Sequence, residues 1–219
     1  MPSDRLPVLE SQLQALREHL LPAEFEPTGA YDNPGVYTRA LAYRVLAHAE
    51  IEAFLEDRAL AAVVRARDAW DKGRHVSRVI LCLLAFSGKE MSSPPESLAA
   101  PTPNKQKSWP SLLDIGERLV PILSSFHKFV RTDNHGIKER NLLSLFLPIG
   151  LEHQKLDPTF LAAMESFGSL RGQAAHTSSS MSVQQAVDPA EEYKRVTDLL
   201  PGLISLDSEI EMMLAELPQ

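Results

Sequence analysis

Arginine and histidine stand five positions apart in the stretch SLRGQAAHTSSS, residues 169–180, and a run of hydroxyl side chains follows. Arg171 and His176 are chemically sufficient to cleave RNA without a metal. An imidazole near its ordinary pKa can take the proton from a ribose 2′-hydroxyl. A guanidinium can bind the phosphate and stabilise the negative charge that builds up in the transition state. From the spacing alone the better reading is a histidine closing a helix C-terminus and an arginine in a surface ion pair. On an ideal helix five residues turn the side chains about 140° apart, so convergence within one chain asks the helix to loosen through Gly172.

A second set of titratable groups lies earlier. Arg44, His48, Glu52 and Glu56 recur every four residues, one above the other on a helix face. They read as a polar seam between helices. A second reading places Glu52, or its neighbour Glu50, beside His176, where a carboxylate would fix the imidazole tautomer. With one histidine among carboxylates the ladder is thin for zinc, and no metal is expected. A third set, His127, Lys128, Arg131, His135, Lys138 and Arg140, concentrates positive charge in an acidic chain. It reads either as a guide for a phosphate backbone or as a solvated helix end. Lys128, Arg131, Lys138 and Arg140 are the RNA-binding candidates. Arg65, Arg67, Lys72, Arg74, His75 and Arg78, interleaved with Asp68 and Asp71, read as another solvated helix end. No phosphate-loop, dinucleotide or serine-hydrolase pattern is present.

The elements that must hold these residues read as helical throughout. Leu6, Leu9, Leu13, Leu16 and Leu20 recur at helical steps. A Pro- and Gly-rich break follows, and Asn33 with Pro34 reads as the entry to the next helix. Residues 36–72 contain neither Gly nor Pro and read as one long helix stopped by Gly73. RVILCLLAF fits a buried strand or a buried helix, and its helical neighbours favour helix. Residues 87–108 are rich in proline and serine without apolar periodicity and read as a long disordered connection. Beyond it, residues 109–133 form a helix interrupted by Pro121. A shorter helix ends before Pro148. Asp157 with Pro158 and Asp188 with Pro189 begin the last two. The expected fold is an all-α bundle divided as an N-terminal helix and linker (1–33), a first half (34–86), the connection (87–108) and a second half (109–219) that carries the motif.

At 219 residues and 44% hydrophobic the chain can bury a substantial core. A formal charge of −7 argues against a broad basic surface for nucleic acid, so any RNA contact must be local or shared with a second subunit. Cys82, the single cysteine, lies among apolar neighbours and reads as a small buried hydrophobe rather than a reactive thiol. One cysteine fits a reducing compartment. The charged N-terminus and the lack of any long apolar run lead to the expectation of a soluble, cytoplasmic protein with no membrane contact.

SLRGQAAH resembles the arginine-x4-histidine signature of the HEPN superfamily of small helical bundles. The stretch from NHGIKERNLLSLFLP to the motif looks like its RiboL-PSP-type branch, and AYRVLAHAEIEAFLEDRA is similar to that branch's early acidic helix. The likeness covers residues 34–85 and 109–215. It implies a homodimer with two arginine–histidine pairs facing across a cleft, and metal-independent, cofactor-free endoribonuclease activity that leaves 2′,3′-cyclic phosphate and 5′-hydroxyl ends. Defence, RNA-processing and toxin–antitoxin roles come with it, the last with an antitoxin as partner. Arg171 would be the phosphate ligand and His176 the acid–base group. The chain departs from the pattern at Gly172, where active members carry a polar residue, and Gln173 is the nearest substitute. The alternative is a non-catalytic module of the same type binding RNA, nucleotide or a partner protein.

Overall fold

The computed structural model describes residues 2–88, 115–176 and 187–218, with backbone alone for 115 and 172–176. The connection expected at 87–108, the helix start at 109–114 and the hydroxyl run after His176 thus lie, apart from residues 87 and 88, outside the described residues. Every regular element described is a helix. They are α1 (Arg5–Leu20), α2 (Gly35–Gly73), α3 (Arg78–Phe86), α4 (Ile115–Lys128), α5 (Glu139–Phe146), α6 (Pro158–His176) and α7 (Pro189–Ala215). A π-helical turn, Phe129–Asp133, extends α4, and a single 3₁₀ turn, His153–Lys155, precedes α6.

The caps form where the sequence places them. Asn33 Oδ1 accepts from Gly35 N–H at 2.9 Å, Asp157 Oδ1 from Thr159 N–H at 2.9 Å, and Asp188 Oδ1 from Ala190 N–H at 2.9 Å. Each satisfies a backbone donor that the first helical turn leaves open. RVILCLLAF is helix, capped by Ser77, whose hydroxyl oxygen accepts from Ile80 N–H. The long helix also ends near its expected stop, but the left-handed residue is Arg74 (φ 54°), not Gly73. Its guanidinium lies over the Trp70 ring, 5.3 Å from the centroid.

α2 is the axis of the bundle. Its 39 residues, roughly 58 Å of helix, pack against α1, α3, α5, α6 and α7. Ala40, Ala47, Ala59 and Ala62 are fully buried along it, and small side chains let neighbouring helices close in around Ile51, Phe54 and Leu55. α6 buries Phe160, Leu161, Met164 and Phe167, so four of the five apolar positions on its expected face enter the core; Leu170 is half-buried. Cys82 is half-buried as well, less enclosed than its apolar neighbours suggest.

Candidate active site

Three elements meet around Arg171: the middle of α2, the last turns of α6 and the loop 134–138 before α5. The contact between α2 and α6 is made by His48 and Phe167, whose rings lie 6.1 Å apart. Arg171 is four residues beyond Phe167 and therefore on the same face of α6, one turn on. It is exposed, whereas His48 is 1% exposed. One turn along α2 from His48 lies Glu52. Its Oε2 is 3.6 Å from His48 Nδ1, an ion contact too long for a hydrogen bond. Its Oε1 accepts from Gly136 N–H in the loop. Gly136 has φ 110°, a backbone conformation that side-chain-bearing residues rarely adopt.

The loop is shaped from its other side by Asn141, which is buried at the start of α5. Its Nδ2 donates to Asn134 Oδ1 at 3.1 Å and to His135 O at 3.2 Å, and its Oδ1 accepts from Lys138 N–H at 3.2 Å. The last bond is half of a capping box. Gly168 of α6 admits the loop: a Cβ there would stand 2.9 Å from Lys138 Cγ. Asn134 and Asn141 escape sequence reasoning; the one available signal is an amide at the third position of a helix.

His48 has its pKa held below the ordinary 6.5. Burial is the main cause; Glu52 pulls the value up and the charge of Arg171 pushes it down. The ladder on α2 is the polar seam that its spacing suggests. Arg44 makes a two-pronged bond to Glu192 of α7, Nε to Oε2 at 2.7 Å and Nη2 to Oε1 at 2.6 Å. Glu56 receives Arg131 Nη1 at 3.1 Å. Burial raises the pKa of Glu56, against the lowering effect of Arg131. Glu50 is half-buried and, two residues from Glu52, points about 200° around the helix, so the two carboxylates do not share the site.

The four RNA-binding candidates separate. Arg131 pairs with Glu56 and with Asp57, which its Nη2 reaches at 2.8 Å, so it cross-links the turn after α4 to α2. Lys138 Nζ is 3.6 Å from Glu165, and with Arg140 it lines an open cleft of about 370 Å³ between α5 and α6. Among the described residues Arg140 has no ion-pair partner. Lys128 lies on another surface, a groove of about 420 Å³ between α2 and α4 floored by Leu60, Val63 and Leu123. Residues 172–176 continue α6 without a break. The loosening at Gly172 that would bring the motif pair together within one chain does not occur, because the helical hydrogen bonding runs through that glycine. The side chains of Gln173 and His176 lie outside the described residues. No group of three or more metal-ligating side chains occurs among the described residues, and no described helix is long and apolar enough to cross a membrane.

No protein-family model, curated protein or solved structure matches the chain. Fold and site therefore define an all-helical bundle with a polar cluster around His48, Glu52 and Asn141 beside the helix of Arg171.

Proposed function

We propose that the protein is a metal-independent endoribonuclease of HEPN type that acts as a homodimer. Arg171 binds the scissile phosphate and His176 exchanges the proton of the 2′-hydroxyl attack. The observation that carries this reading is the setting of Arg171: an exposed guanidinium on the last turns of α6, on the side of His48, with no ion pair among the described residues. A cation held without a close counter-ion is suited to take a phosphate. RNA enters along the side of Lys138 and Arg140. The backbone of α6 runs as helix through His176, and in the homodimer the pair that meets one phosphodiester is drawn from two copies facing across a cleft. A toxin or defence role, with an antitoxin masking the cleft, follows from the same reading.

The test is cleavage of labelled RNA by the full chain with chelator present. Activity survives EDTA, ends in 2′,3′-cyclic phosphate, and falls by at least about 10³-fold in His176→Ala and in Arg171→Ala. A folded protein that binds RNA yet cleaves none fits the second reading, a non-catalytic binding module. Gly172, where the resemblance leads one to expect a polar residue, favours this second reading.

A further inference from the structure

His48 has no role in the proposed chemistry, yet it occupies the gap between the two helices that build the site. Its ring is buried against Phe167, its Nδ1 faces Glu52 at 3.6 Å, and Arg171 stands one turn beyond Phe167 on the same face of α6. Among the described residues the charges around it are few, and of the titratable groups on the loop, His135 and Lys138, the latter is paired with Glu165. On α2, Arg44 lies one turn back but is locked to Glu192 of α7, and Glu52 lies one turn on. On α6 the facing charge is Arg171, with Glu165 turned to Lys138. The loop offers Gly136 N–H, already on Glu52. A proton on His48 thus meets one carboxylate and one guanidinium, and whatever neutralises the guanidinium makes room for that proton.

We propose that the Arg171 site is proton-linked: when an anionic phosphate group binds Arg171, the buried imidazole of His48 takes up a proton from solvent. The inference rests on the reading of Arg171 as a phosphate ligand and adds a regulation to it. Coupling of this kind is reciprocal, so a lower pH strengthens phosphate binding through His48 and bound phosphate strengthens proton binding. His48 is a positioning and coupling residue here; enclosed as it is, it does not touch the ligand. The charge of Arg171 acts on His48 behind burial and Glu52, and it lowers the proton affinity of the ring, which is the sign the coupling requires.

The experiment uses the full chain and a single-stranded oligodeoxynucleotide of about twelve residues, which supplies phosphates but lacks the 2′-hydroxyl needed for cleavage. The imidazole of His48 is followed by NMR through a pH titration, free and saturated with the probe, in wild type and in Arg171→Ala. The titration of wild-type His48 moves upward when the probe binds. In free Arg171→Ala it is already moved upward, and the probe no longer shifts it. Between about pH 8 and pH 5.5, wild type gains about fivefold more affinity than His48→Gln. A probe that binds wild type while leaving the His48 titration in place overturns the coupling and spares the phosphate-ligand reading. A titration unchanged in free Arg171→Ala overturns the coupling as well, whatever binds. Absence of binding at every pH overturns both.

Discussion

His48 shows how burial sets the behaviour of a single residue. Its pKa in the folded chain lies below the ordinary 6.5, chiefly because burial penalises the charged ring. In the window between that lowered value and 6.5 the unfolded chain binds the proton and the folded chain does not. Stability therefore increases with pH across this window and is lost as pH falls through it. His48→Gln should flatten that part of the stability curve, which chemical denaturation at a series of pH values measures; an unchanged slope would assign it to another group. Arg171, His48 and Glu52 were all legible in the sequence as candidates, Arg171 by its five-position spacing from His176, and His48 and Glu52 by the four-residue ladder on α2. That Glu52 would hold Gly136 N–H was not, since a carboxylate's partner across about eighty intervening residues leaves no local trace.

Elements come together where side chains are missing as much as where they are present. Gly202 of α7 faces Phe160 of α6 so closely that a Cβ on it would stand 2.1 Å from Phe160 Cδ2. Gly202→Ala must push a buried aromatic or part the helices, and should destabilise the chain by about 1–3 kcal/mol even though alanine is the better helix former. Urea or thermal unfolding reads this directly, and a stabilised variant would mean that α6 and α7 move apart freely. Gly168 has a gentler counterpart, the flexible Lys138 side chain. The helices themselves were legible. Leucine spacing in α1, the Gly- and Pro-free run of α2 and the Asp-Pro starts of α6 and α7 are local signals that local hydrogen bonding obeys. The ambiguous RVILCLLAF was settled by packing, with Val79, Ile80 and Leu83 buried on one side of a helix and Leu81 exposed on the other.

At the scale of the molecule, the N-terminus is tied down by a charge network inside the bundle. Asp207 of α7, fully enclosed, accepts from Ser3 N–H and Ser3 Oγ at 2.7 Å each, and Arg58 Nε of α2 lies 2.6 Å from its Oδ1. That last approach is an ion contact whose angle does not make a hydrogen bond; Arg58 Nη2 instead donates to Glu211. The segment leading into α1, together with α2 and α7, thus shares one buried carboxylate. Asp207→Ala leaves Arg58 with only the half-buried Glu211 and releases Ser3, so a loss of about 3–5 kcal/mol is expected. Hydrogen exchange should show α1 losing protection first. Uniform loss across all helices would show instead that α1 is held by its leucines alone.

By itself the sequence determined the helical class, most helix boundaries, the apolar face of α6 and the pool of titratable residues from which a site can be drawn. These depend on periodicity, caps and side-chain chemistry within a few turns of chain. Only the tertiary structure decided which of those residues meet: that Arg131 pairs with Glu56 and Asp57, that Lys128 lies on a different surface from Lys138, and that His48 lies under the helix of Arg171. Partner choice among charges depends on how helices cross in space, and crossing is set by the fit of distant faces, which no local pattern encodes.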